Sequence, residues 1–372
     1  MDLDLLLLEE NAAAIANVAD FQHREVVLTS IAGAGLGLTA RADLPLGTLI
    51  IAEHAAAIAD TPAELERLLL RCKQLDHVET LFCGSESFDV CGVVRLNAFS
   101  VEGDGIATAN VNGADRVSKS SRIGLWCRVS RLNHSCRANC HWNVVGDLMI
   151  VRASERIRAG DQLTVSYHPA VDTFQRTNAK LQCYGFECRC ARCELFRSRS
   201  DFAEAETQLC ALFDRLVLQH ELRNPFPNPT KSLALATFLE RCDELLPPAE
   251  VPFTSIRFQA LTCLAMLENN ASHFDVSTDC SRSALRIARS FLGEGARIEI
   301  EVAMNLLISL LLVGQTDDAA ALLAASRDSF CVRHGVNTTY FKRAFQRYID
   351  KVRQLESARQ IDFQRSVLRA ID

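Results

Sequence analysis

The sequence predicts an α+β protein: an irregular β-rich half carrying a helical insert, then an all-helical C-terminal domain. Three observations predict it. Short apolar runs broken by glycine and proline fill the first half, amphipathic helical runs begin near Phe196, and two cysteine-bearing segments, 131–139 and 183–193, lie at the junction. The 372 residues also exceed what one core of roughly 250–300 residues serves, which points to about two domains.

Residues 1–20 read as a short leader of helical pattern without evident chemistry. The acidic start Met1-Asp2-Leu3-Asp4 and the brief run Leu5 to Leu8 do not fit a secretory signal, and no stretch reaches the ~20 apolar residues of a membrane span. Fifteen cysteines in so long and apolar a chain therefore suit a reducing compartment, cytoplasmic or nuclear, with most of them filling cores. Forty basic against 46 acidic side chains leave a net charge of −6. That balance supplies no cationic field for direct nucleic-acid binding, and the local run Arg116, Lys119, Arg122, Arg128, Arg131, Arg137 reads as solvated surface.

From Glu25 the pattern is strand-like: Val26 to Leu28, the turn Gly33-Ala34-Gly35-Leu36-Gly37, Leu38 to Ala40, then Leu44 to Ile51 around Pro45 and Gly47. An insert over about 54–122 switches to helical spacing between 62 and 83, with Leu65, Leu68, Leu69 and Leu75 among charges. Strands return at Trp142 to Val145 and Leu148 to Val151, joined through Gly146-Asp147, and Leu163 to Tyr167 alternate as a final strand. Beyond Phe196, helical runs cover 209–218, 234–246, 256–267, 284–292, 302–313 and 319–325. Ala284/Ala288 and Ala320/Ala321/Ala324 recur about 35 residues apart, which resembles helical hairpins of the tetratricopeptide kind.

Cys188, Cys190 and Cys193 place three thiolates within six residues. A structural zinc takes four tetrahedral ligands and accepts sulfur readily, so a fourth is wanted. Cys136 and Cys183 are both candidates.

Four pieces in order carry a family resemblance: Gly35-Leu36-Gly37, Asn133-His134-Ser135-Cys136, Gly160-Asp161-Gln162-Leu163-Thr164-Val165-Ser166-Tyr167, and Gly185-Phe186 leading into the cysteine triplet. The chain resembles the SET-domain protein lysine methyltransferases, closest to the SMYD enzymes and their fungal relatives, over about residues 21–195. Two departures stand out. Ala138 occupies the position of the family's usual proline, and residues 54–122 offer only Cys72, Cys83, Cys91, His54 and His77, too few for a MYND zinc module.

The resemblance implies a SET domain over 21–170, a zinc-binding post-SET segment over 171–195 and a helical domain over 196–372. It implies S-adenosylmethionine as methyl donor, a protein substrate presenting a lysine, and one structural Zn²⁺ held by Cys136, Cys188, Cys190 and Cys193. Gly35 and Gly37 would run along the cofactor, with Asn97, Ser130, Leu132, Asn133, His134 and Phe186 around it. Tyr167 would orient the amine and receive weak CH···O contacts from the methyl group. An inactive SET-fold scaffold acting through its helical domain is the rival expectation.

Overall fold

The computed structural model describes residues 15, 17–101, 122–168 and 172–335, except 221, 223–225, 227, 252 and 294, together with residue 350. The expected leader up to residue 14, Arg116 and Lys119 of the basic run, and the expected helical domain beyond 335 (apart from residue 350) lie outside the described residues.

The first half is built from short strands: β1 (Phe21–Gln22), β2 (Val26–Ile31), β3 (Gly35–Ala40), β4 (Leu49–His54) and β5 (Ala57–Ala59). Past the insert come β6 (Phe99–Val101), β7 (Arg122–Leu125), β8 (Asn133–His134), β9 (Cys140–Val145), β10 (Leu148–Ala153) and β11 (Thr164–Val165). One antiparallel sheet has the order β1-β4-β10-β9, another β5-β7-β6, and β2 pairs with β3 as a hairpin. Val145 pairs with Leu148, so Gly146-Asp147 is a two-residue loop, and the φ of +65° at Gly146 is what such a loop requires. Val26, Leu38, Ile50, Trp126, Met149, Val151, Leu163 and Val165 form the core beneath these strands. Ile15 and Val18 pack on Ala52, Leu148 and Ile150, so the end of the expected leader covers a sheet face.

The insert holds three short helices, α1 (Pro62–Leu69), α2 (Leu75–Glu79) and α3 (Val90–Asn97). Thr61 caps α1 by accepting from Glu64 N, Pro62 opens it, and Asp89 caps α3 by accepting from Cys91 N and Gly92 N. Leu65, Leu69 and Val78 bury a satellite core against Val93, Val94, Leu125 and Cys127. The insert is not wholly helical, since β5, β6 and the start of β7 lie within it.

The second half is helical: α4 (Phe174–Leu181), α5 (Ala191–Ser198), α6 (Ser200–Gln219), α7 (Pro229–Leu245), α8 (Ser255–Asn270), α9 (Phe274–Leu292), α10 (Arg297–Leu312) and α11 (Thr316–His334). From α6 onward each helix packs on the next through apolar faces. Ala284 and Ala288 are fully buried, which fits small residues at a close helix contact. α11 returns to the sheet, where Arg333 Nη2 donates to Trp142 O at 2.9 Å. Among the described residues no helix is long and apolar enough to cross a membrane, and no two cysteines form a disulfide.

One buried carboxylate sets the path into the site. Glu53 on β4 is 2% exposed and accepts from Arg128 N at 2.9 Å and Val129 N at 3.0 Å. It thereby caps the single 3₁₀ turn Val129–Arg131 that delivers Leu132 and Asn133. Burial raises its pKa from 4.5 to about 7, with the two backbone N–H groups and Arg128 opposing the shift and Asp20 adding to it. A carboxyl raised on folding stabilises most below its unfolded pKa, and that contribution is lost as pH rises through about 7. The shift corresponds to on the order of 3 kcal/mol between pH 4.5 and pH 7. Thermal melts should therefore fall more steeply from pH 5 to pH 8 in wild type than in Glu53→Gln; parallel slopes would remove Glu53 from this role.

Candidate active site and metal centre

Cys136 lies two residues past the end of β8, whereas Cys188 and Cys190 lie on the chain ahead of α5, Cys190 at its N-cap and Cys193 in its first turn. Their four sulfurs lie within 4.8 Å of one another, with Cys136 Sγ 3.5 Å from Cys193 Sγ and 3.9 Å from Cys188 Sγ. Zn–S bonds of about 2.3 Å in a tetrahedron require sulfurs about 3.8 Å apart, so the donor set fits a zinc ion. Cys136, Cys188 and Cys193 are buried. Hydrogen bonding to Cys136 holds the Cys188 thiol far below the usual thiol range and brings Cys190 down to about 6, so part of the set ionises readily. Cys183 stands apart: it is exposed and donates its S–H to Lys180 O at 3.0 Å.

His134 joins this cluster to Tyr167. Tyr167 N–H donates to His134 Nδ1 at 3.1 Å, so the ring's proton is on Nε2, which faces Cys136 Sγ at 3.4 Å. Both imidazole nitrogens are thus engaged by the protein, which the sequence reading of His134 as a side-chain ligand did not anticipate. β8 and β11 lie side by side in parallel, Thr164 opposite Asn133 and Val165 opposite His134, and Ser135 N donates to Val165 O. This pairing brings the Asn-His-Ser-Cys segment beside the strand that ends at Tyr167.

Asn133 holds the glycine loop. Its Nδ2 donates to Leu36 O at 3.3 Å and Ala34 O at 3.5 Å. A Cβ on Gly37 would come within 2.6 Å of that nitrogen and 2.8 Å of Gln162 Nε2, so no larger residue fits without moving them. At Gly35 a Cβ would meet nothing within 4 Å, and the loop there borders open space at a φ of +71°. Gln162 Nε2, beside Gly37, is buried without a hydrogen-bond partner among the described residues.

Ser130 and Asn97 form a neighbouring group. Ser130 Oγ donates to Trp126 O at 2.7 Å and Asn97 O at 3.3 Å, while Asn97 Nδ2 donates to Phe82 O at 2.8 Å and Val93 O at 2.9 Å. These bonds hold α3 and the turn after Trp126 together. Leu132 is buried, and its carbonyl accepts from the Tyr167 hydroxyl at 2.9 Å. Burial, then Tyr184, holds the Tyr167 pKa above the ordinary phenol range, so the hydroxyl stays protonated.

Tyr167 sits among rings. Its centroid lies 5.3 Å from His134, 5.1 Å from Tyr184 and 6.4 Å from Phe186, the last edge-on. The sequence reading singled out Phe186 but neither Tyr184 nor His168. Tyr184-Gly185-Phe186 held a signal for the first: Gly185, at a φ of +72°, turns the chain so that both flanking rings face one place, 6.3 Å apart.

A buried ion pair anchors the segment that carries Tyr184. Arg192, next to Cys193, donates through Nη2 to Asp172 O at 2.7 Å and lies 3.6 Å from Glu206, which accepts from Phe174 N at 2.6 Å. The guanidinium rests against the rings of Phe253, Phe291 and Phe196 at 5.4, 5.5 and 5.9 Å. The start of α4 is thereby fixed from α5 and α6 together.

Comparison with known proteins agrees with this geometry. Residues 35–168 match the SET domain family model. A methyltransferase of Gibberella zeae is 32% identical over 124 residues, 27% of this chain and 17% of the relative. Histone-lysine N-methyltransferase SMYD3 of Mus musculus is 34% identical over 88 residues, 23% of this chain and 21% of the relative. Histone-lysine N-methyltransferase ASHR1 of Arabidopsis thaliana is 36% identical over 84 residues, 22% of this chain and 18% of the relative. Residues 35–168 form a SET domain, and it is of the SMYD-like kind. The matches span about a fifth of these relatives' length.

Metal analysis of the purified full chain is expected to return one zinc per chain. Cys136→Ser and Cys190→Ser should each lose most of it, and Cys183→Ser should keep it. Zinc retained by Cys136→Ser but lost by Cys183→Ser would reverse the assignment.

Proposed function

We propose that the chain transfers a methyl group from S-adenosylmethionine to a lysine side chain of a protein substrate. The observation that carries this reading is the Tyr167 hydroxyl, donating to Leu132 O inside a set of aromatic rings, at the end of the SET match. The relatives' names support it, since they include histone-lysine and protein-lysine N-methyltransferases.

The cofactor would supply an electrophilic methyl on a sulfonium. This chain's part is positioning, worth several kcal/mol when two reacting groups are held in line. Gly35, Gly37 and Asn133 would cradle the donor along the loop that Asn133 ties down, with Asn97 and Ser130 supporting the adjoining wall. The Tyr167 hydroxyl and the Leu132 carbonyl, 2.9 Å apart, would offer two oxygens to a polarised methyl, each CH···O contact contributing about 0.5–1 kcal/mol. Tyr184 and Phe186 would wall the approach of the lysine and exclude water. One structural zinc on Cys136, Cys188, Cys190 and Cys193 would hold this wall against β8 through His134. A cytoplasmic or nuclear setting would suit a chain of fifteen cysteines in which no disulfide forms among the described residues.

Two measurements test the reading. Asn133→Ala should weaken S-adenosylmethionine binding by about 1–3 kcal/mol in calorimetric titration, because the glycine loop loses its tether. With radiolabelled cofactor and core histones or lysate proteins as acceptors, Tyr167→Phe should keep cofactor affinity and lose about tenfold or more in transfer, at least ~1.4 kcal/mol of transition-state stabilisation. A wild type that binds cofactor and labels nothing would overturn the enzyme in favour of the scaffold.

A further inference from the structure

Asn139 closes the segment that opens at Asn133, and its half-buried side chain is turned onto β11. The amide accepts through Oδ1 from Thr164 N at 2.8 Å and from Thr164 Oγ1 at 3.2 Å, and donates through Nδ2 to Gln162 O at 2.9 Å. Its backbone takes part as well, Asn139 N donating to Thr164 Oγ1 at 3.4 Å and Asn139 O accepting from Ser154 N at 2.9 Å. One primary amide thus does what a neighbouring strand would do, meeting the C=O and the N–H on either side of the buried Leu163. Ala138 stands where the family's usual proline would restrict the backbone, so these hydrogen bonds hold the turn instead.

The strand so held is short. β11 has two residues, pairs with β8 at Thr164 opposite Asn133 and Val165 opposite His134, and is preceded by a single bridge between Gln162 and Thr39. A slip of one residue would turn each of its side chains to the opposite face. Tyr167 would then leave Leu132 O and His134 Nδ1, which its hydroxyl and its N–H reach at 2.9 and 3.1 Å. We propose that Asn139 is a positioning residue for the methyl transfer, its amide fixing the register of β11 that brings the Tyr167 hydroxyl to Leu132 O. The inference rests on the function proposed above.

Both halves of the amide are needed. A carboxylate at this position keeps the acceptor for Thr164 but sets a charged oxygen against Gln162 O, whereas a protonated carboxyl has the amide's shape and one O–H to donate. A half-buried carboxyl facing a carbonyl oxygen has its pKa raised, so in Asn139→Asp the donor returns as pH falls. The groups around it are shared with wild type. Cys140 donates its S–H to Asn139 Oδ1 at 3.6 Å and is pushed up to about 12 by burial, so it stays neutral. Glu155 is paired with Arg137 at 3.3 Å, and His134 lies across β11 on β8. A titration seen only in the variant therefore belongs to its new carboxyl.

The test compares wild type, Asn139→Asp, Asn139→Ala and Tyr167→Phe as full chains, by zinc content, by calorimetric titration with S-adenosylmethionine, and by radiolabel transfer to core histones from pH 6 to pH 8.5. At pH 8.5 Asn139→Asp should lower kcat about tenfold or more, with zinc content kept and cofactor affinity within threefold of wild type. The ratio of its kcat to that of wild type should rise about fivefold or more by pH 6, because protonation restores the donor. Asn139→Ala has neither half of the amide and should show the kcat loss at every pH; it serves if the aspartate variant does not fold. A merely structural role would lower zinc content or cofactor affinity along with kcat and give Asn139→Asp a flat ratio. Either result, or a kcat within twofold of wild type at pH 8.5, overturns the inference alone if Tyr167→Phe still loses tenfold. Histones left unlabelled by wild type would overturn the enzyme reading and this inference with it.

Discussion

The meeting of Cys136 with the cysteines at the head of α5 is the constraint on which the rest depends. It joins segments 52 residues apart in the chain, and it does so two residues from His134. Closing a loop of that length costs entropy that weak contacts between short, irregular strands supply poorly. Four sulfurs close enough to hold one divalent ion would supply it in one place, and most of the sulfur is buried in the core that continues into the helical half.

From there the order spreads along hydrogen bonds. His134 faces Cys136 with one nitrogen and fixes the Tyr167 backbone with the other. Tyr167 in turn reaches Leu132, the residue before Asn133, which holds the glycine loop. On the other side, Arg192 beside Cys193 fixes Asp172 and, with Glu206, the start of α4, whose C-terminal end leads to Tyr184. Cysteine cluster, aromatic rings and glycine loop thus share one framework. Glu53 completes it from the sheet by capping the turn that feeds Leu132. A buried carboxylate with its pKa near 7 makes that cap sensitive to ordinary pH.

The helical half has a structural part in this arrangement. Phe253 and Phe291 lie against the Arg192 guanidinium, and α11 returns to β9 and β10 through Arg333 and Trp142. The wall beside Tyr167 is therefore braced by helices that carry none of the motif residues. A change at Phe253, just ahead of α8, or in α9 at Phe291 can reach the site through Arg192.

Where chemistry is local or periodic, the sequence by itself determined the outcome. The helices from α6 onward follow from apolar spacing, the β9–β10 hairpin from Gly146-Asp147, and the sulfur trio from its own crowding. Short helices without such a period, α3, α4 and α5, were not legible, because burial, helped by the Asp89 cap at α3 and the Thr173 cap at α4, rather than pattern supports eight residues. The choice of Cys136 over Cys183 was open to spacing alone. Only the fold turns Cys183 outward to Lys180 O and carries Cys136 inward on the segment after β8. In the same way no motif marks Glu53 or Arg192, whose partners come from distant stretches of chain. Tertiary structure decided these roles because contacts across many residues leave no period in the sequence, and a buried polar atom reveals its need for a partner only once the surrounding atoms are in place.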